Sequence, residues 1–328
     1  MDQVKLFVPS SSANLGLGYD IWCLGLDYPK LMVTYAPSTE KGVRYAIETS
    51  CKPPKGRVLG TSGKIALEKF LQANGIKDGA DLCFKDSNYS IGGLGRSGAE
   101  AVGAVLGAAV SYGIKLSRNN TIIAAAEGEP GNHKDNVAAS VNGRFNIIIT
   151  EEPATGKPSV DFYSVPKDLG LAMGFSSYQK TGGTEAGRQV LRNPVDVNDF
   201  VRQTGLISGA TAAIVLGDTD RFINLVWGDR FHQPRRAAVG FYGNFNDADF
   251  LELQKRLYNE FHVAWNVSGA GPNMQATYNN THHPDGIVNA ISPVVVPWFA
   301  EKGIEMRLEE MQIAKEGAYD LAQKYYDY

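Results

Sequence analysis

The most informative part of the sequence is a glycine-rich stretch that runs into a small, apolar, helix-compatible segment: Ile91-Gly92-Gly93-Leu94-Gly95-Arg96-Ser97-Gly98-Ala99-Glu100. Backbone N–H groups exposed just before a helix begins form an anion cradle, because the unpaired amides and the positive end of the helix dipole point the same way. The spacing matches neither a Walker loop nor a dinucleotide-binding fingerprint. Taken alone, the stretch therefore indicates either a phosphate site or a plain structural turn.

Composition limits the classes of protein that the chain can belong to. Its 328 residues are 43% hydrophobic and 20% charged, so the chain can bury a full core and is long enough for two domains. A formal net charge of −3, with both signs mixed along the chain, predicts neither a nucleic-acid partner nor a membrane surface. Cys23, Cys51 and Cys83 are odd in number and lack the close pairing of a metal or disulfide framework. The first residues lack the layout of a signal peptide, so we expect a cytoplasmic protein.

Hydrophobic periodicity predicts a mixture of helices and strands. In the first half, strands are predicted over residues 4–9, 30–36 and 145–149, and helices over 64–74, 101–112 and 117–127. In the second half, helices are predicted over 199–216, 218–228 and 247–259, with Gly217 and Asp218 as caps, and residues 262–267 are predicted to be extended.

Two segments of the pattern are interrupted by breaker residues. Residues 287–302 carry Pro293 and Pro297, so only their last part is predicted to be helical, ending at Gly303. Residues 151–158 are polar and rich in breakers, which predicts a hairpin turn or a domain edge. We therefore expect an N-terminal domain over residues 1–160 and a C-terminal domain over 161–328.

Three further polar clusters lie at breaks in the pattern, over residues 9–20, 127–138 and 267–273. In the first, Asn14 can donate and accept hydrogen bonds and Asp20 can hold an amine or hydroxyl, which indicates a substrate pocket or a turn that satisfies itself. In the second, the carboxylates of Glu127 and Glu129 can hold Mg²⁺ together with water and a phosphate, or form a solvated turn. The third cluster is either a binding loop or a tight hairpin.

At these residues the chain resembles the GHMP kinase superfamily. The family's three motifs are similar, in the same order, to residues 9–20, 93–99 and 268–272. The likeness is greatest to the homoserine kinase family. Three segments carry it, similar to that family's His-x-Asp-Asn-Val-Ala, Thr-x-x-x-Arg and His-Glu-Pro-x-Arg patterns: His133-Lys134-Asp135-Asn136-Val137-Ala138, Thr184-Glu185-Ala186-Gly187-Arg188 and His232-Gln233-Pro234-Arg235-Arg236.

The resemblance implies a fold and an activity. The fold is α+β with two domains: an ATP-binding N-terminal domain like domain 2 of ribosomal protein S5, and a ferredoxin-like C-terminal domain. The activity is transfer of a phosphoryl group from ATP, with Mg²⁺, to the side-chain hydroxyl of L-homoserine or a closely similar hydroxy amino acid, as in amino-acid biosynthesis. A homodimer is consistent with the family.

The resemblance also implies roles for individual residues. The implied ATP-binding residues are Gly93, Leu94, Gly95, Arg96, Ser97 and Gly98. The implied metal ligands are Ser97 and Glu127. The implied substrate-binding residues are Asn14, Asp20, Asn136, Thr184 and Arg236, because arginine suits a substrate carboxylate. The implied catalytic residues are Arg188, Glu127 and Asp135, of which Asp135 can orient the attacking hydroxyl or accept its proton.

Two departures from the family pattern fall in the phosphate loop. Arg96 stands where the second motif usually carries a serine, and Gly98 replaces an alanine. Arg96 can clamp a phosphate or crowd the loop. Two alternatives therefore stay open: a GHMP kinase for another small alcohol such as mevalonate, and a homologue that binds a nucleotide or ligand without turnover.

Overall fold

The structure is a computed structural model that describes residues 3–49, 58–86, 92–179, 183–192 and 194–326, with the backbone alone described for 183–185. Cys51 lies outside these residues. The chain forms two compact units, neither of which is one continuous segment. The first unit comprises Met1–Ala13, Asp20–Tyr163 and Ile313–Tyr328, and the second comprises Asn14–Tyr19 and Ser164–Gln312.

Within the described residues, the sheet of the first unit has six strands, of which the longest, β2 (Trp22–Ser38), pairs with three others. The six strands are β1 (Val4–Ala13), β2 (Trp22–Ser38), β3 (Val43–Thr49), β4 (Gly79–Asp86), β5 (Phe145–Ile149) and β6 (Ser159–Tyr163). Their order is β3-β4-β2-β5-β6, with β1 also paired to β2, and β3 and β4 form the parallel pair of an otherwise antiparallel sheet. β5 and β6 are antiparallel neighbours, so residues 151–158 form the predicted hairpin turn.

Helices cover this sheet. They are α1 (Thr61–Ala73), α2 (Arg96–Ser111), α3 (Arg118–Ala126) and α4 (Asp135–Asn142). α2 packs on β1 and β2, and its small residues permit the close approach. A Cβ atom on Gly103 would lie 2.4 Å from Val33 Cγ2, and one on Gly107 would lie 2.6 Å from Tyr35 Cβ. The predicted helix was thus correct in type, and its glycines serve packing against β2.

The second unit has a four-stranded antiparallel sheet. In chain order its elements are β7 (Leu169–Ser176), α5 (Gly183–Gln189), α6 (Val197–Leu216), α7 (Thr219–Val226), α8 (His232–Ala237), α9 (Asp247–Phe261), β8 (Ala264–Val267), β9 (Met274–Asn279), α10 (Val288–Ala300) and β10 (Met306–Met311). The strand order is β10-β7-β9-β8. This β-α-β-β-α-β arrangement confirms the ferredoxin-like expectation. Trp265, Phe299 and Phe245 lie at the centre of its core.

The caps of α6 and α7 agree with the sequence. Gly217 ends α6 with a φ of 82°, and its N–H donates to Ala213. Asp218 precedes α7, and its side chain accepts a hydrogen bond from the backbone N–H of Arg221. Among the described residues, no helix is long and apolar enough to cross a membrane.

The prediction for residues 287–302 is wrong, because α10 already begins at Val288 and continues through both prolines. A proline inside a helix leaves the carbonyl four residues earlier without its N–H donor. Asn289, Pro293 and Pro297 are all exposed and lie on one face of the helix. Water can therefore solvate the freed carbonyls, which makes both prolines tolerable.

After β10 the chain returns to the first unit. Ala314 exchanges backbone hydrogen bonds with two residues there: its N–H donates to the carbonyl of Gly25 over 2.8 Å, and its carbonyl accepts from the N–H of Arg144 over 2.7 Å. The short helix α11 (Ala318–Gln323) then packs against α2, α4 and β1, with Ala318 and Ala322 buried. The first unit is therefore built from both ends of the sequence.

Candidate active site

The glycine-rich loop leads into α2 through a series of left-handed backbone conformations. Gly92, Gly93 and Gly95 have φ values of 135°, 73° and 62°, a region that favours glycine. The backbone N–H of Ser11 in β1 donates to the carbonyl of Leu94 over 3.1 Å, which ties the loop to the sheet. The first turn of a helix has N–H groups without intrahelical acceptors, so the start of α2 is suited to binding an anion.

Gly95 lies at the point where β1, α2 and α4 approach one another. A Cβ atom there would lie 1.9 Å from Ser11 Oγ and 2.6 Å from Asn136 Oδ1. Ser11 Oγ itself donates to Asn136 Oδ1 over 2.8 Å. The structure thus brings two predicted site residues, Gly95 and Asn136, together through Ser11, whose position the sequence prediction did not single out.

The carboxylate beside Ser97 is that of Glu129, whereas the resemblance implies Glu127 as the metal ligand. Ser97 Oγ donates to Glu129 Oε2 over 3.0 Å, and Glu129 is only 9% exposed. The side chain of Glu127 is 42% exposed and forms an ion pair with Lys69 over 2.8 Å. α3 ends at Ala126, so the chain has turned by the time it reaches Glu129. The metal-ligand hypothesis therefore moves from Glu127 to Glu129, with Ser97 retained.

The Arg96 side chain binds carboxylates inside the protein, which argues against a phosphate clamp, one of the two roles that the sequence left open. Its Nη1 lies 2.5 Å from Asp86 Oδ2 and its Nε lies 3.0 Å from Glu100 Oε1. The guanidinium is 1% exposed. Removing one member of a buried ion pair costs about 3–5 kcal/mol, because the remaining charge is left uncompensated. The side chain of Arg96 therefore serves the structure of the loop, while its backbone still belongs to the first turn of α2.

Asp135 and Asn136 form the first turn of α4. Asp135 is buried, and its Oδ1 accepts a hydrogen bond from the backbone N–H of Asn136 over 2.8 Å. Behind it, Cys23 Sγ donates to the backbone carbonyl of Asp135 over 2.6 Å. Burial, followed by the nearby charge of Asp135, raises the pKa of the Cys23 thiol well above its ordinary value, so this cysteine stays a protonated packing residue.

The middle of the first motif, residues 14–19, belongs to the second unit and begins with a left-handed turn. Asn14, Leu15 and Gly16 all have positive φ values, and Asn14 Nδ2 donates to the carbonyl of Gly269 over 2.8 Å. This bond joins the first motif to the third. A Cβ atom on Gly16 would lie 2.1 Å from the carbonyl oxygen of Val226, so the turn fits closely against the rest of the unit. The amide of Asn14, predicted to bind substrate, therefore also holds the turn together.

The two predicted arginines of the second unit lie against the ring of Tyr19. Their guanidinium carbons are 5.6 Å (Arg188) and 5.2 Å (Arg236) from the ring centroid, within cation–π range. Arg236 is 1% exposed and its Nε donates to the carbonyl of Gly187 over 2.9 Å. Arg188 is only partly buried. Arg188 is thus the more accessible of the two cations.

His232 fixes the orientation of Arg236 from the same helix. His232 Nε2 lies 2.6 Å from the carbonyl oxygen of Gly16, and Nδ1 lies 3.5 Å from Arg236 Nη1. A carbonyl only accepts and a guanidinium only donates, so these partners assign the proton to Nε2 and leave Nδ1 as the acceptor. Sequence reasoning matched His232 to a family pattern without giving it a role; its spacing of four from Arg236 was the available signal.

The remaining predicted residues are placed as follows. Asp20 is half-buried, has a φ of 58°, and belongs to the first unit together with Asp135 and Asn136. The side chain of Thr184 lies outside the described part of the chain. Within the described residues, no group of three or more His, Cys, Asp or Glu side chains could hold a metal ion. A metal at Ser97 and Glu129 would thus have few protein ligands, as is usual for Mg²⁺ that also binds substrate phosphates.

The fold of the chain is that of the GHMP kinases. The chain shares its fold with the crystal structure of L. major mevalonate kinase in complex with R-mevalonate, with a TM-score of 0.67, 13% identity and coverage of 95% and 96% of the two chains. It also shares its fold with the homoserine kinase of Cytophaga hutchinsonii, with a TM-score of 0.78, 23% identity and coverage of 97% and 96%.

In sequence the chain is homoserine kinase-like. It is 26% identical over 320 residues to the homoserine kinase of Methanococcus vannielii, covering 95% of this chain and the whole of that protein. No protein-family model matches the chain. The predicted likeness to homoserine kinases and the predicted two-domain GHMP kinase fold are thus confirmed.

Proposed function

We propose that this protein is an ATP- and Mg²⁺-dependent kinase that phosphorylates the side-chain hydroxyl of L-homoserine or a closely similar hydroxy amino acid. The observation that carries the proposal is the Ser97–Glu129 pair at the start of α2, directly after the glycine loop. It occurs in a chain that is similar to a homoserine kinase over almost its whole length.

Phosphoryl transfer requires mainly positioning and neutralisation of charge. The N–H groups of the loop and of the first turn of α2 would bind the phosphate oxygens of ATP. Glu129 and Ser97 would hold Mg²⁺, which neutralises phosphate charge when it is bound. Glu129 fits this role because its carboxylate is nearly buried and already within hydrogen-bonding distance of Ser97 Oγ.

The acceptor hydroxyl needs a group that orients it. Asp135 is the best candidate, because it is a nearly buried carboxylate at the N-terminal turn of a helix. It would accept a hydrogen bond from the hydroxyl and take its proton as the new bond to the γ-phosphorus forms, while the bond from that phosphorus to the bridging oxygen breaks and ADP leaves. In the second unit, the guanidinium of Arg188, which is less buried than Arg236, would bind the carboxylate of the substrate, and both guanidinium groups lie against the ring of Tyr19.

A coupled ADP-release assay with Mg²⁺-ATP tests the proposal against L-homoserine, L-serine, L-threonine and mevalonate, with mass detection of the product. The matched variants are Glu129→Gln and Glu127→Gln. We expect turnover with L-homoserine that falls by roughly 10²–10³-fold in Glu129→Gln, as for loss of one electrostatic group at a reacting phosphate. Glu127→Gln should retain activity, because its carboxylate binds Lys69.

Other results of the same assay would change the conclusion. Turnover with mevalonate alone would keep the chemistry and reject the amino-acid substrate. No turnover with any acceptor, with Mg²⁺-ATP still bound, would identify a binding homologue. Equal losses in both glutamate variants would contradict the assignment of Glu129.

A further inference from the structure

Arg96 holds the C-terminal end of the glycine-rich loop between two buried carboxylates. Its guanidinium contacts Asp86 and Glu100, and the three side chains are 1%, 0% and 4% exposed. Asp86 is the last residue of β4 and Arg96 is the first residue of α2. The Asp86–Arg96 ion pair therefore joins the strand before the loop to the helix after it.

Both carboxylates also bind other elements of the first unit. Thr49 Oγ1, at the end of β3, donates to Asp86 Oδ1 over 3.0 Å. The backbone N–H of Gly60, just before α1, donates to Glu100 Oε2 over 2.9 Å. The cluster thus fixes the start of α2 relative to β3, β4 and α1, and neither carboxylate depends on Arg96 alone.

We propose that Arg96 is a positioning residue for nucleotide binding: with Asp86 and Glu100 it forms a charged clasp that orders the phosphate loop before ATP arrives. The proposal rests on the proposed kinase function. Glycines at positive φ give a loop conformational freedom, and freedom that is lost on binding reduces affinity. The clasp removes part of that freedom in advance. Its loss therefore weakens nucleotide binding more than it slows the chemical step.

Three changes test the clasp in the full-length protein. Arg96→Ser introduces the residue that the second motif usually carries. Arg96→Lys keeps the charge without the planar fork that reaches two carboxylates. The double variant Arg96→Gln with Asp86→Asn removes a positive and a negative charge together, so it should fold even if Arg96→Ser leaves two carboxylates uncompensated. Arg118→Met is the control, because it breaks an ion pair with Asp320 in the same unit.

The primary measurement is the Kd of Mg²⁺-ADP by titration calorimetry, with the melting temperature of each variant as a check on folding. We expect Kd to rise about tenfold in Arg96→Ser and in the double variant, with partial rescue in Arg96→Lys. The KM for ATP should rise in parallel while kcat stays within about twofold. Arg118→Met should lower the melting temperature without changing Kd.

The outcomes separate the clasp from the kinase activity. An unchanged Kd in folded Arg96 variants would overturn the clasp and leave the proposed activity intact. A raised Kd in a protein that phosphorylates no acceptor would support the clasp and reject the activity. An equal rise of Kd in Arg118→Met would show general destabilisation and overturn the clasp.

Discussion

Among single residues, Gly95 is a position where the glycine-rich loop has no room for a larger side chain. Gly95→Ala would place a methyl group 1.9 Å from Ser11 Oγ at a φ of 62°. We expect it to lower the free energy of unfolding by about 2–4 kcal/mol, from overpacking and left-handed strain together. Because β1 and α4 meet the loop here, the KM for ATP should rise as well. Urea denaturation and steady-state kinetics measure the two effects.

Gly156→Ala is the control that separates the cost of a positive φ from the cost of the close contact at Gly95. Gly156 has a φ of 65°, and no atom lies within 4 Å of a Cβ built there. Only the conformational cost of about 1–2 kcal/mol is expected, with unchanged kinetics. If both variants lost the same stability and neither changed the KM for ATP, the close contact at Gly95 would have no bearing on the loop.

For single residues, the sequence predicts which segment contributes to the site, but it does not decide which of two nearby side chains, such as Glu127 and Glu129, makes the contact. The glycines and Ser97 follow from their pattern before a helix. The choice between Glu127 and Glu129 depends on the turn at Gly128, where a Cβ atom would lie 2.2 Å from the carbonyl oxygen of Ser62. The partner of Arg96 at Asp86 depends on where β4 ends. Both are tertiary facts that spacing along the chain does not contain.

Among the elements, α2 shows how packing overrides helix propensity. Alanine normally stabilises a helix by about 1 kcal/mol relative to glycine. Gly103→Ala should do the opposite, because the new methyl group would lie 2.4 Å from Val33 Cγ2 in β2. We expect a loss of about 1–3 kcal/mol in the free energy of unfolding, measured by urea denaturation.

Gly205→Ala in α6 is the matched control. No atom lies within 4 Å of a Cβ at Gly205, so propensity alone should act there. We expect a gain of about 0.5–1 kcal/mol. A gain at both positions would mean that α2 can move away from β2 at little cost.

Elements with a strong period or clear caps could be predicted from the sequence, as α6, α7 and β5 show. α10 could not be predicted. Prolines inside a helix are expected to break it, and the sequence alone does not show that Pro293 and Pro297 are exposed to solvent. The helix is possible because both prolines lie on the same solvent-facing side as Asn289, where water can solvate the carbonyl groups that lose their N–H donors. That side is visible only once the core position of Ile291 and Val295 is known.

For the whole molecule, the fold class was predictable because three motifs occur in the family's order. The two domains expected over residues 1–160 and 161–328 stay a prediction, and so does the homodimer. The two compact units do not coincide with these two ranges, since residues 14–19 belong to the second unit and residues 313–328 belong to the first. Local hydrophobic periodicity does not show that a segment packs in a unit from which it is distant in sequence, so these assignments could not be predicted.

Truncation after Gln312 tests how far the first unit depends on its last segment. The deletion removes the Arg118–Asp320 ion pair and the hydrogen bond from Tyr319 Oη to the carbonyl of Leu116. It also uncovers apolar surface of α2 and α4. We expect the melting temperature of the first unit to fall by more than about 10 °C, since several kcal/mol are lost. A peptide of residues 313–328 added in trans should restore part of it, and an unchanged melting profile would contradict this dependence.

The same return of the chain sets an order of events during synthesis. Residues 313–328 are synthesised after residues 164–312, so the sheet and helices of the first unit lack this layer while residues 164–312 are already free to fold. A nascent chain therefore carries an incomplete first unit until residues 313–328 have been synthesised. Products that terminate before residue 313 keep that unit incomplete, which makes them targets for chaperones and proteases.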